Sequence, residues 1–325
     1  MAPGAVPRLR KGLAGDRPLM PEPVQDLPDV LVLGVGGTLG EAWMRGLLNG
    51  LEASSGLDFT RCEYFVGSSA GSIVAATLAG GQRPEAGDRA AREWGDLAPE
   101  PEREPGPFGR ASAAAGRIGL AAASPLAPVA LAGVAPLGRV VRAGALAAVP
   151  RGRGNLERLG RHLDRLGAQF DGRLRISAVD RRSGRRVMFG APSAPAAPVS
   201  RAVLASCAVP GLFEPVDIGG REYVDGGVWS PTNLDAAPAG RGTRVLCLVP
   251  TAVGGATRSA AGALRAFTTT AVATETLALR SRGASVRTIV PDAGSAAVMG
   301  FNLMDPRRTE QVLDAAFAQG RALAG

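Results

Sequence analysis

Twice before Gly81 the chain passes from a short apolar run through a glycine-rich turn into a helical pattern, and this repetition strongly limits its fold. Val30–Leu33 is apolar without alternation, as a strand buried on both faces reads. It ends in Gly34-Val35-Gly36-Gly37-Thr38-Leu39-Gly40, after which Trp43, Leu47 and Leu51 recur at helical spacing. Cys62–Val66 reads as a second strand. It enters Gly67-Ser68-Ser69-Ala70-Gly71, and Ile73–Ala79 then reads as a helix ended by Gly80-Gly81. Strand, glycine turn and helix in succession describe a parallel sheet with crossover helices. The expected fold class is α/β, with a mostly parallel central sheet flanked by helices.

The later chain keeps the same grammar. Leu174–Val179 reads as a strand, and Ser183-Gly184 as the turn of a hairpin into Arg186–Phe189. Val245–Val249 and Val286–Val290 read as two more strands, separated by a helical stretch around Ala261–Leu279. The chain closes in a helix with Asp305 as N-cap, Pro306 in its first turn and Val312, Leu313, Ala316 and Phe317 on its apolar face. Residues 1–28 are rich in Pro and Arg, lack the apolar core of a signal peptide and read as a flexible leader. With no internal repeat and no second core pattern, 29–325 reads as a single domain. Within it, 94–150 turns to Ala, Pro and Gly and is expected to form loose helices, an insertion or lid. Ile118–Gly138 is uncharged and long enough to span a bilayer, but Pro125, Pro128 and Pro136 interrupt it, so no span is expected.

Composition narrows the chemistry. The chain is 46% hydrophobic, too apolar for a disordered protein. Cys62, Cys207 and Cys247 are far apart with no CxxC pair, which argues against a disulfide scaffold and a thiolate zinc site. His162 is the only histidine, which removes most histidine-based metal sites, and Arg161-His162-Leu163-Asp164-Arg165 reads as a solvated helix. No metal and no cofactor are expected. The net charge is +8 and every base except Lys11 is arginine, but the arginines form no dense run. They read as a solvated surface, and no specific nucleic-acid partner is expected. The default is a cytoplasmic protein, with room for peripheral contact with a membrane.

Gly67–Gly71 is a G-x-S-x-G between a strand and a helix. There the central Ser69 sits on a tight turn with its hydroxyl exposed at the carboxyl end of the sheet, beside amides of the helix N-terminus. A plain glycine-rich turn is the bland alternative. A nucleophilic serine needs a proton acceptor, and no histidine follows His162. Asp225, in Tyr223-Val224-Asp225-Gly226-Gly227, is the best candidate, against the commoner reading of Asp-Gly-Gly as a hairpin turn. An ordinary aspartate is a feeble base toward an alcohol, so the site must desolvate it. The first glycine loop fails the dinucleotide fingerprint, which would need glycine where Leu39 stands, and it lacks a phosphate-loop lysine. The alternative is a backbone-amide hole for an oxyanion, which needs flexible glycines but no charge.

Three elements in this order (glycine loop, G-x-S-x-G, Asp-Gly-Gly) resemble the patatin-like phospholipase family, α/β enzymes of three-layer architecture that work with a Ser-Asp dyad. The resemblance runs from about Val30 to Asp235, with Val286–Ala324 also similar, and includes Ala205-Ser206-Cys207-Ala208-Val209-Pro210-Gly211-Leu212-Phe213-Glu214-Pro215-Val216 ahead of the Asp-Gly-Gly. It implies Ser69 as nucleophile and Asp225 as base. Gly36, Gly37 and Thr38 become the oxyanion hole, and Gly67, Gly71, Gly226 and Gly227 support the motifs. It implies hydrolysis of a lipid ester (phospholipid, lysophospholipid or acylglycerol) without metal or cofactor. Two positions depart from the family pattern: Val35 replaces the first glycine of the hole and Leu39 replaces a basic residue. They raise the alternative of a catalytically weakened or inactive lipid-binding protein on the same fold.

Overall fold

The structure is a computed structural model that describes residues 23–83, 139–252 and 260–325. Its eight strands are β1 (Val30–Leu33), β2 (Tyr64–Gly67), β3 (Leu174–Asp180), β4 (Arg186–Phe189), β5 (Val216–Ile218), β6 (Arg221–Asp225), β7 (Arg244–Leu248) and β8 (Ser285–Ile289). They form one sheet in the order β5-β6-β3-β2-β1-β7-β8, with β4 also paired to β3. The run β3-β2-β1-β7-β8 is parallel, while β4 and β6 lie antiparallel to β3, and β5 antiparallel to β6.

Eight helices accompany the sheet among the described residues: α1 (Gly37–Ser55), α2 (Ala70–Ala79), α3 (Arg139–Ala148), α4 (Glu157–Arg165), α5 (Val199–Cys207), α6 (Ala260–Ser281), α7 (Ala293–Met299) and α8 (Thr309–Ala324). The pleat of β1 sends Leu31 and Leu33 into one core, with Trp43 of α1, Ile73 of α2, Ala202 of α5 and Val312 of α8. Val30 and Val32 face the opposite way, into a second core with Val272 and Leu279 of α6. Both faces of the sheet are therefore covered, which explains why the central strand β1 is apolar throughout and gives the three layers. A smaller cluster of Leu146, Val179, Val224 and Val228 seats α3 on the second face.

The strand register decides where the chemistry can sit. Ile176 of β3 pairs with both Gly67 of β2 and Phe189 of β4, and Ala178 pairs with both Val187 of β4 and Asp225 of β6. Because β4 occupies one edge of β3 continuously, β2 and β6 must share the other edge. They run toward each other along it and stop on either side of Ser177. The last residue of β2 and the last residue of β6 are thus brought together although 158 positions separate their numbers, 67 and 225.

Several boundaries differ from the expected ones for local reasons. The second strand starts at Tyr64 because Cys62 closes a 3-10 turn, donating its N–H to Phe59 O. Asp225-Gly226-Gly227 is not a hairpin turn: Asp225 ends β6 and caps a 3-10 turn over Gly226–Val228. Asp305 caps a 3-10 turn over Pro306–Arg308, and the closing α-helix begins only at Thr309. Residues 1–22 of the expected leader lie outside the described residues. Val24, within its expected span, is buried and donates its N–H to Leu323 O at 2.7 Å, so chain packed on the core begins before residue 29. Of the expected insertion, 94–138 lies outside the described residues, as does the uncharged stretch 118–138, while 139–148 forms α3. No helix among the described residues is long and apolar enough to cross a membrane.

Candidate active site

Ser69 stands at the junction of β2 and α2 with φ 51° and ψ −124°, a left-handed backbone that a non-glycine residue adopts only under strain. The turn is tight enough to require its glycines. A side chain on Gly71 would overlap the carbonyl of Leu33, and one on Gly226 would overlap the hydroxyl of Ser177.

The Ser69 hydroxyl donates to Asp225 Oδ2 at 2.7 Å. The other carboxylate oxygen, Oδ1, accepts the Gly227 N–H at 2.7 Å. Asp225 is 1% exposed and Ser69 8%. Burial pushes the Asp225 carboxyl up to about 7, against the opposing pull of the Ser69 and Gly227 hydrogen bonds. A carboxylate that would be inert in water is thereby brought into the range where it can take a proton from an alcohol and give it back.

The segment before β5 holds both partners at once. Ser206 Oγ accepts the Ser69 N–H at 2.8 Å, and Ala208 O accepts the Asp225 N–H at 3.0 Å. Below them lies a buried polar group. Ser68 Oγ and Ser177 Oγ are 2.7 Å apart, and Asn233 Nδ2 donates toward Ser68 Oγ at 3.0 Å, Ser230 O at 3.0 Å and Gly226 O at 3.3 Å. Asn233 is fully buried with φ 52°, a conformation asparagine tolerates better than most residues. Its neighbours are pinned from α6 by Glu275, which accepts from Thr232 Oγ1 at 2.6 Å and Leu234 N at 2.9 Å. Ser177, Asn233 and Glu275 carried no motif in the sequence; only the meeting of β2 and β6 over β3 shows what they support.

The glycine loop lies alongside. Gly34 donates its N–H to Leu248 O, Val35 to Pro231 O and Leu39 to Leu303 O, at 3.0, 2.8 and 2.9 Å. The N–H groups of Gly36, Gly37 and Thr38, at the start of α1, have no partner among the described residues. Both departures from the family pattern thus fall on amides already committed elsewhere. The Leu39 side chain is fully buried in the core on the α1 face.

His162 lies on α4, half-buried, and is absent from the hydrogen-bond partners of Ser69 and Asp225. Among the described residues, no group of three or more His, Cys, Asp and Glu side chains is placed to hold a metal ion.

The family model described as patatin-like phospholipase matches residues 31–238, a span that includes the glycine loop 34–40, Ser69 and Asp225. The chain belongs to the patatin-like phospholipase family. No curated protein matches it. Among solved structures, VipD from Legionella pneumophila is similar at 13% identity and a TM-score of 0.41, over 92% of this chain and 67% of that one. The type III effector protein ExoU follows at 18% identity and a TM-score of 0.34, over 90% and 53%. The ExoU-SpcU complex from the type III secretion system of Pseudomonas aeruginosa gives 22% identity and 0.33, over 91% and 52%. This patatin-like chain therefore spans about half the length of the ExoU chains, and likeness at such scores says nothing of substrate. Family membership supports lipid hydrolysis in general terms.

Proposed function

We propose that this protein is a serine acyl-ester hydrolase of lipid esters, with Ser69 as nucleophile and Asp225 as the group that takes and returns the proton. The observation that carries this reading is the 2.7 Å hydrogen bond from the Ser69 hydroxyl to a fully buried carboxylate. In the first half-reaction the Ser69 proton passes to Asp225 Oδ2 as Oγ bonds to the ester carbonyl carbon. The N–H groups of Gly36, Gly37 and Thr38 hold the oxyanion. The carbon–oxygen bond to the leaving alcohol then breaks, and that alcohol takes the proton from Asp225. In the second half a water gives its proton to Asp225 and attacks the acyl-serine. The fatty acid leaves, and Ser69 Oγ recovers the proton. Peripheral contact with a lipid surface goes with such a substrate.

The test is hydrolysis of a p-nitrophenyl ester together with labelling by a fluorophosphonate. The wild type should hydrolyse the ester and be labelled on Ser69. Ser69→Ala should lose the label, and both it and Asp225→Asn should lose about a thousandfold or more in rate. Wild-type rates in both variants would overturn the dyad. Lipid retention by a wild type that takes no label would favour the lipid-binding alternative, which the commitment of the Val35 and Leu39 amides does not otherwise support.

A further inference from the structure

Among the described residues, the Ser69 hydroxyl meets Asp225 and the Ser69 N–H meets Ser206, and no imidazole orients either group. The aim of the hydroxyl therefore depends on how the main chain around it is held. That main chain is strained, with φ 51° and ψ −124° on a residue that carries a side chain. Strain of this kind corresponds to about a five- to hundredfold preference for relaxing, and it persists only where surrounding contacts fix it.

The contacts that fix it converge on three consecutive residues at the C-terminal end of α5. Ser206 Oγ accepts the Ser69 N–H at 2.8 Å. Cys207 Sγ lies 3.8 Å from Ser72 Oγ, which donates to Ser69 O at 2.6 Å. Ala208 O accepts the Asp225 N–H at 3.0 Å. The N–H and C=O of Ser69 and the N–H of Asp225 are thus all referred to one short piece of chain. That piece is itself immobilised, because Ala202, Val203, Ala205 and Cys207 belong to the core on this face of the sheet.

Ser206 is the member of the three whose side chain meets Ser69 directly. It is fully buried, and the Ser69 N–H is its hydrogen-bond partner among the described residues. Ser69 precedes the first turn of α2, so its N–H has no acceptor within that helix. Without Ser206 Oγ a buried donor is left unpaired, which disfavours the turn by a factor similar to that of the strain. Both effects push the same way, toward a relaxed backbone in which Ser69 Oγ no longer points at Asp225.

We infer that Ser206 is a positioning residue for the dyad: its hydroxyl holds the Ser69 backbone in the one conformation that aims Oγ at Asp225 Oδ2. It acts through Ser69 and not on the substrate. The kinetic consequence rests on the proposed hydrolase reading; the geometric one does not.

Ser206→Ala removes the acceptor and leaves the helix intact, while Ser206→Thr keeps a hydroxyl. With a p-nitrophenyl ester, Ser206→Ala should lower kcat about tenfold or more and leave KM within about twofold of wild type, and Ser206→Thr should recover most of the rate. A second measurement needs no turnover. It is the titration of Asp225, followed by carbon NMR in protein carrying isotope-labelled aspartate and assigned with Asp225→Asn. The Ser69 hydrogen bond lowers the Asp225 carboxyl against the burial that raises it to about 7, so loosening that bond in Ser206→Ala should move the midpoint upward. Facing Asp225 are the uncharged Ala178 of β3, the Gly226-Gly227 turn and, from α5, Cys207, with Glu41 of α1 beyond it; burial holds the Cys207 thiol well above its usual range, and the substitution changes none of these groups. An unchanged midpoint in Ser206→Ala overturns the inference, as does a kcat within about twofold of wild type. Equal effects of Ala and Thr in both measurements would assign them to packing and overturn it too. A raised midpoint in a protein that hydrolyses no ester leaves the positioning role standing and removes the catalytic reading.

Discussion

The Asp225 carboxylate receives the Ser69 hydroxyl at 2.7 Å at the point where β2 and β6, running in opposite directions on one edge of β3, stop short of each other. A sheet that pairs strands continuously leaves no such gap. Here the interruption opens a space of about one residue over Ser177, and the two strand ends deliver a serine hydroxyl and a carboxylate into it. Burial follows from the same arrangement, because three strands, α2 and α5 close around the gap. The geometry that joins the pair therefore also shifts the acid.

The first consequence is a pH–rate profile. Asp225 must be ionised to accept the Ser69 proton, and burial has moved its carboxyl up to about 7. The kcat/KM for a neutral ester should rise about tenfold per pH unit below that value and level off above it. A plateau already reached at pH 5, where an ordinary aspartate is ionised, would show that the buried carboxylate does not control the rate.

The same shift predicts a stability cost. Unfolded, the residue titrates near 3.9; folded, near 7. The folded chain holds the proton more tightly, so the stability this residue contributes is complete below about pH 4 and is lost as the pH rises through 7. At pH 8.5 the penalty reaches up to about 4 kcal/mol. Asn at this position can accept from Gly227 N–H and donate to Ser69 Oγ without ever carrying the charge. Asp225→Asn should therefore melt above wild type at pH 8.5, with the gap shrinking toward pH 5. A variant less stable than wild type at both pH values would contradict the linkage.

What could be read from the chain divides along physical lines. The β1 and β2 units were legible because each carries its own local signal, an apolar run followed by glycines that only a tight turn requires. Ser69 and Asp225 were legible as residues, and their contact was expected from resemblance. The strand order that creates it was hidden, since antiparallel β6 pairs with β3 across a long separation. The helix Val199–Cys207 was masked by the surrounding Pro and Ala, and β5 is too short to show a period. Ser206 lay within a segment singled out for its similarity, but its hydrogen bond to the Ser69 amide depends on how α5 docks.

Asn233 is the clearest of the residues without a sequence signal, and its placement predicts a particular kinetic defect. Its amide donates toward Ser68, Gly226 and Ser230, so it ties the Ser69 turn to the turn after Asp225 without touching either reacting group. Asn233→Ala leaves buried acceptors unpaired and should cost about 1–3 kcal/mol of stability. At a temperature where the variant is folded, kcat should fall about tenfold or more while KM stays close to wild type, because the loss concerns alignment of the pair. An unchanged kcat would reduce Asn233 to a packing role.

Val35 offers the sharpest check on whether the altered glycine loop has weakened the site. If this position were a missing part of the oxyanion hole, restoring glycine should raise the rate. The Val35 N–H, however, donates to Pro231 O at 2.8 Å, and its side chain is 6% exposed. The amides without a partner among the described residues are those of Gly36, Gly37 and Thr38, none of which the substitution alters. Glycine at 35 would only free a backbone now fixed by its hydrogen bond and by burial of the valine. Val35→Gly should thus give no gain in kcat for a p-nitrophenyl ester and should lower the melting temperature, since a buried side chain is removed and the unfolded chain gains freedom. A gain of tenfold or more in kcat would mean that the Val35 amide, once released from Pro231, belongs to the hole after all.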